Sequence, residues 1–222
     1  WIAAREHQLL LAPMQGLLGE SLAAASLLAA SLKFQGTLTL QLAGSTGQVS
    51  MLVAQATDTR SVRGVIYGAH TAPAANAQFG DLIAGGRMVV SMEQGDGVMP
   101  WQGVVPLDGS SLATCLEHYF VVSEQVPTAI FLAADAHRAA GLLLQKLPDT
   151  ATQGEVAAAA AHDIWEESAA LLATLQPSEL LDSDAEGLLQ RLFANRDVRL
   201  FAGEPVRFAC RCDRERVAGM LQ

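Results

Sequence analysis

The chain has 222 residues, half of them apolar but only 5% aromatic and 17% charged, too apolar for a disordered polypeptide and long enough to bury a core without covalent staples. Fourteen Lys and Arg against 23 Asp and Glu give a formal net charge of −9; with no basic cluster to meet phosphates, nucleic acid is excluded as a natural partner. The three cysteines, Cys115, Cys210 and Cys212, are an odd set with two of them one residue apart, a poor disulfide framework that suits a reducing, cytoplasmic compartment.

The chain opens at Trp1, with Arg5 and Glu6 close behind; the expectation is a trimmed piece without a signal peptide. Residues 14–33 read as a long helix after Pro13, with Gly16, Gly19 and a series of alanines that let neighbours approach closely. Its most apolar stretch, residues 22–32, is shorter than the ~20 residues a membrane span needs, and Ser26 and Ser31 interrupt it. A buried helix is expected, and no membrane.

The period then becomes two. Leu38, Leu40 and Leu42 alternate with Thr37, Thr39 and Gln41, a half-buried strand. A turn at residues 44–47 leads to a second strand over 48–55, so the pair reads as a hairpin. Further strands are expected at 62–69, 87–93 and 98–107, the last two around the turn signal Gly95-Asp96-Gly97. Residues 110–123 return to helical spacing, and 128–134 and 140–146 read as two more strands. After Pro148, a helix over 155–175 runs to Pro177, and Ser183 with Glu186 predicts a capped helix over 185–194. Short extended pieces at 198–201 and 206–208 lead to the cysteines. The Ala-rich helices of this second region bury little area per residue, at ~25 cal/mol per Å², so their docking on the core is expected to be weak.

Cys210-Arg211-Cys212 is the sharpest chemical feature. Thiolates one residue apart can reach one soft cation, but zinc takes four ligands and two are present. Arg211, Arg214 and Arg216 favour thiolate over thiol. Cys115, between Leu112 and Leu116, reads as a small buried hydrophobe. Gly19-Glu20-Ser21 resembles a nucleophile elbow only superficially, because it lies within a helix. His7, His70, His118, His137 and His162 have no metal-binding spacing. Glu117 and His118 beside Tyr119 are the nearest approach to an acid–base pair, and Trp165-Glu166-Glu167 is an amphipathic helix face. From the residues alone, a zinc-dependent interaction module and a small-molecule enzyme with a pocket beside the 110–123 helix both stay open.

A series of motifs resembles the heat-shock protein 33 family of redox-switched chaperones. Gly16-Leu17-Leu18-Gly19-Glu20 runs into Leu32-Lys33-Phe34-Gln35-Gly36, and Arg63-Gly64-Val65 and Gln102-Gly103-Val104-Val105 follow. Leu116-Glu117-His118-Tyr119-Phe120 continues through Ser123-Glu124-Gln125-Val126-Pro127-Thr128. Ala140-Gly141-Leu142-Leu143-Leu144-Gln145 and Phe208-Ala209-Cys210-Arg211-Cys212, with Arg214-Glu215-Arg216 behind, complete it. The resemblance implies an α+β fold of antiparallel hairpin sheets on a long buried helix, followed by a helical linker and the start of a zinc-binding domain. The implied divisions are a core over residues 1–148, a linker over 149–208 and the zinc domain from 209–222. Cys210 and Cys212 match the first pair of four zinc thiolates and are the implied metal and redox-disulfide residues, with no catalytic residue and no enzyme activity. The implied activity is that of an ATP-independent holdase: oxidation exchanges zinc for disulfides, the linker unfolds and the exposed surface captures unfolding client proteins. Copies are expected to dimerise on activation. The family's opening strand would precede Trp1 and its second cysteine pair would follow Gln222, so an incomplete zinc site and blunted redox control are the expectation for this chain.

Overall fold

Proline in the first turn of a run with apolar residues on every side starts a helix that has to be buried all round. In a computed structural model, which describes residues 1–6, 10–68, 73–94, 101–147 and 155–209, that run is α2 (Ala12–Ser31), preceded by the short α1 (Ile2–Glu6). Met14, Leu17, Leu18, Leu22, Ala24, Ala25 and Leu28 are buried along it. Ser21 is fully buried and donates its hydroxyl to the Leu17 carbonyl at 2.7 Å, an internal helix bond rather than a nucleophile's setting.

Strands β1 (Gly36–Ala43), β2 (Thr46–Gly47), β3 (Met51–Thr57) and β4 (Ser61–Tyr67) follow. After α3 (Phe79–Leu82) come β5 (Ile83–Ala84), β6 (Arg87–Gln94) and β7 (Trp101–Pro106). α4 (Leu112–Tyr119) passes into a π-helical turn at Phe120–Glu124, and β8 (Thr128–Ala134) and β9 (Ala139–Gln145) form a hairpin. The chain continues through α5 (Glu155–Ala173), α6 (Pro177–Asp182) and α7 (Ala185–Leu192) to β10 (Arg207–Phe208).

The main sheet has the order β10-β4-β3-β1-β6-β7. It is antiparallel except where β10 joins β4 in parallel. Leu38, Leu40 and Leu42 of its central strand point inward and are fully buried. α2 lies between this sheet and the β8–β9 hairpin, contacting both. The close approach rests on missing side chains. A Cβ on Gly19 would sit 2.5 Å from the Ala134 Cβ and 3.2 Å from the Ala139 Cβ, and one on Gly64 would sit 2.8 Å from Leu18 Cδ1. The α+β class, the long buried helix and the hairpin sheets stand as expected. No helix among the described residues is long and apolar enough to cross a membrane.

Several elements differ from the sequence reading in their details. The strand expected over 48–55 begins at Met51, because the Gln48 and Val49 amides both donate to the Leu82 carbonyl and β2 pairs with β5, widening the connection. The helix expected over 110–123 is α4 plus the π-helical turn, closed by Gln125 in the left-handed region at φ 56°. Pro177 does not merely end α5; it opens α6, whose first turn is closed by Glu179 accepting from the Gln176 amide at 2.9 Å. α7 is capped by Asp184 rather than Ser183, with the Gly187 amide donating to its carboxylate at 2.8 Å. Residues 198–201 form no strand. β6 and β7 pair as a hairpin should, while the turn expected at residues 95–97 lies outside the described residues.

Burial pushes the Glu20 carboxyl on α2 up from its ordinary 4.5 to about 7. A carboxyl whose pKa is higher folded than unfolded favours the native state most at low pH, and that advantage fades as pH rises from 4.5 to 7. Denaturant unfolding of the Glu20→Gln variant should therefore remove a pH-dependent loss of at most ~3 kcal/mol across that window. Equal pH profiles for variant and parent would refute the assignment.

Candidate functional site

β9 reads Ala-Ala-Gly-Leu-Leu-Leu-Gln, apolar on both faces. A strand of that kind needs cover on two sides, and the hairpin it forms with β8 receives it. One side meets α2 through Ile130, Leu132 and Leu143, with Gly141 admitting Leu27, whose Cδ1 would lie 2.7 Å from a Cβ there. The other side carries Ala129, Phe131, Ala133, Ala140, Leu142 and Leu144, and α5–α7 cover it. Among the described residues, six of this second cluster are buried: Ala133 on the hairpin, and Leu172, Leu175, Leu180, Leu181 and Leu188 from the linker.

Polar contacts hold the helices at their margin. Asp135 closes the hairpin turn, taking the amides of His137 and Arg138 at 2.6 Å each, and those bonds hold its carboxyl below the usual range. Arg138 then reaches the second region, donating to the Leu181 carbonyl at 2.5 Å and pairing with Asp182 at 3.2 Å. Arg196 pairs with Glu167. These ion pairs are solvent-exposed and contribute little, ~1 kcal/mol or less each.

Beyond α7 the chain returns to the sheet. Val198, Leu200, Phe201 and Val206 are exposed, with the Arg199 guanidinium 4.8 Å above the Phe201 ring. The segment spans a cleft of about 430 Å³ floored by Leu27, Ala30, Ala56 and Val62. It is fastened where Glu204 pairs with Arg60 at 2.7 Å, the Arg207 amide donates to the Arg60 carbonyl and the Ala209 amide to that of Val62, and Phe208 packs against the main core. Arg60 does this from a left-handed backbone at φ 60°, which is uncommon outside glycine.

Cys210 and Cys212, the metal and redox residues expected from the sequence, lie outside the described residues, directly after Ala209. Among the described residues no group of three or more His, Cys, Asp or Glu is gathered as for a metal ion. Cys115 is fully buried; burial pushes its thiol up, and its role is packing. Glu117 and His118 do not form an acid–base pair. The Glu117 carboxylate accepts the Ile130 amide at 2.8 Å, tying α4 to β8, while His118 is exposed. Tyr119 donates to Glu124 at 2.9 Å and stacks edge-on with Trp101 and Phe120; burial, then that carboxylate, pushes its phenol well above the ordinary value. The Leu116–Phe120 motif is thus architectural.

The sequence reading missed the outward face of the hairpin and the anchoring roles of Arg138 and Arg60. The unbroken apolar run of β9 was the available signal for the first; nothing local marks the arginines.

A family model described as Hsp33 protein matches residues 1–222. A 33 kDa chaperonin of Methylobacillus flagellatus is 40% identical over 206 residues, 92% of this chain and 67% of that protein. One from Pseudomonas fluorescens strain SBW25 is 42% identical over 209 residues, covering 94% and 68%. The crystal structure of the 33 kDa chaperonin from Thermotoga maritima superimposes with a TM-score of 0.81 at 24% identity, covering 98% of this chain and 75% of that one, a likeness of fold.

Proposed function

The chain belongs to the Hsp33 family, and from that membership we propose that it is a redox-regulated, ATP-independent holdase that captures unfolding proteins in the cytoplasm. Residues 1–148 are the core, 149–208 the linker and 209–222 the start of the redox domain. The observation that carries the reading is the thin docking of α5–α7 on the hairpin: among the described residues, five buried leucines on the linker side, with Phe131, Leu142 and Leu144 among the apolar side chains beneath them. A cover held so lightly can leave while the larger core stays folded.

Cys210 and Cys212 would supply two thiolates to zinc, whose soft-ligand preference they fit, and two further donors would complete the tetrahedron. When bound, such an ion supplies folding energy, on the order of 10 kcal/mol. The chain's own part is mechanical. Cys210 stands two residues beyond the end of the two-residue β10, so order at the cysteines would pin β10 against β4 and keep the linker's end in place. Oxidation of two thiolates to a disulfide passes two electrons to an oxidant such as peroxide and removes the sulfur ligands. The pin is lost, and release of the linker bares the hairpin's outer face for clients.

Light scattering of a heat-unfolding client tests this. Stoichiometric amounts of the peroxide-treated protein should suppress aggregation; the reduced protein should do so less where two further donors complete the zinc site, and with Cys210 and Cys212 alone the difference should be smaller. A Cys210→Ser, Cys212→Ser variant should lose the difference. Absence of suppression in every oxidation state would sink the holdase reading; suppression with no dependence on oxidation would sink the switch alone.

A further inference from the structure

The cleft beneath the strap of residues 198–206 continues at both ends. On one side it runs into a recess of about 280 Å³, with which it shares Ser26, Leu27, Val62 and Val206. On the other it opens into a mouth that shares Ala29, Ala30, Asp58 and Arg60 and adds Lys33, Gln35 and Gln94. The three hollows follow α2 from Ala23 to Lys33, just past its end, a distance of about 15 Å at the helical rise. Trp1 lines the far end, its indole donating to the Asp135 carbonyl at 2.8 Å.

The lining changes in chemistry along this groove. Inside, Leu27, Ala30, Ala56, Val62, Phe201 and Val206 supply the walls. The two hydroxyls there are already committed: Ser26 donates to the Leu22 carbonyl at 2.8 Å, and Thr57 bonds the Thr59 hydroxyl and accepts the Ser61 amide. Such a lining offers nothing to a polar guest and suits hydrocarbon. Cations gather at the mouth. Glu204, lying further in, holds Arg60 through Nη1, which leaves the rest of the guanidinium fork for a ligand. Lys33 is exposed and pairs with no carboxylate among the described residues. At the mouth itself these two face Asp58 alone, a place of net positive charge in a chain of formal charge −9.

We propose that the groove binds one linear amphiphile, a saturated monocarboxylate whose chain lies along α2 and whose carboxylate meets Lys33 and Arg60. At about 1.3 Å per carbon in a zigzag chain, the 15 Å estimate corresponds to roughly twelve carbons. Phe201, Ala202, Glu204 and Val206 of the strap line the cleft from the linker's side. The ligand therefore binds while the strap is seated, and by linkage it resists the strap's release. Binding stands apart from the holdase reading; the effect on activation rests on it.

Calorimetric titration of the whole reduced chain with sodium dodecanoate, below its micellar concentration, tests the site. One ligand per chain is expected, with decanoate about fifteenfold weaker for its two missing methylenes. Lys33→Gln should weaken dodecanoate about three- to fivefold and leave decanol binding unchanged. Ala30→Phe, which fills the groove from an exposed position on α2, should abolish binding of both without lowering the thermal midpoint of the free protein. No binding, several ligands per chain that Ala30→Phe does not displace, or dodecyltrimethylammonium held as tightly as dodecanoate overturns the proposal. Hydrogen exchange of the Arg207 and Ala209 amides, which open when β10 leaves the Arg60 and Val62 carbonyls, tests the strap. With dodecanoate at ten times its dissociation constant both should exchange about tenfold more slowly; unchanged exchange with the ligand bound would refute the strap's part in the site. Client protection should then require more peroxide. Slowed exchange with an unchanged peroxide requirement would sink the holdase switch and leave the binding site standing.

Discussion

Leu172→Asp is expected to make the protein protect clients without any oxidant. Leu172 is 3% exposed at the centre of the cluster that holds α5–α7 on the hairpin. An unpartnered carboxylate there loses the leucine's transfer energy, ~2 kcal/mol, and adds a desolvation cost of several kcal/mol. Docking that rests, among the described residues, on five buried linker leucines cannot absorb this, and the helices should spend nearly all their time detached. The larger cluster built from α2, α4 and the main sheet shares no fully buried residue with this one, so the core should remain folded. The expected signature is rapid proteolysis within residues 155–192, a core thermal transition that stays put, and suppression of client scattering by the reduced protein. Detachment without client protection would place the binding surface away from the hairpin's outer face.

Gly19→Ala carries the second large effect. Its Cβ would come within 2.5 Å of the Ala134 Cβ, an atom fixed to the backbone, with the Ala139 Cβ 3.2 Å away. No rotamer change relieves this, so α2 and the β8–β9 hairpin have to move apart. Overpacking of this kind costs ~1–3 kcal/mol, and Gly19→Leu should prevent folding. The Ala134→Gly change, combined with Gly19→Ala, should recover part of the loss in urea unfolding, a coupling that only direct contact produces. Additive effects of the two substitutions would show that the helix and hairpin are not in contact there.

Residues whose burial follows from a short repeat were readable in the sequence. Leu38, Leu40 and Leu42 alternate because one side of their strand faces α2, and Gly19 hinted at close packing because little else explains glycine within a helix. What escaped depended on partners distant in the chain. Met51 rather than Gln48 begins β3 because Leu82 claims the intervening amides. Asp184 outcompeted Ser183 as a cap because Ser183's hydroxyl takes the Arg191 guanidinium instead. The candidate surface was half legible: an unbroken apolar run in β9 announces two covered sides, yet which of them is covered the more thinly depends on how few leucines the linker helices contribute. The family resemblance supplied the role proposed for the cysteines, which spacing alone left between a metal site and an accident.

The β8–β9 hairpin is a party wall, with the core as permanent tenant on one side and the linker as lodger on the other. Because the wall stands by its bond to α2, eviction of the lodger leaves nothing to rebuild. On the proposed mechanism, return to the resting state would need only the linker to refold onto a wall that never came apart, so the same molecule could serve through many rounds of stress.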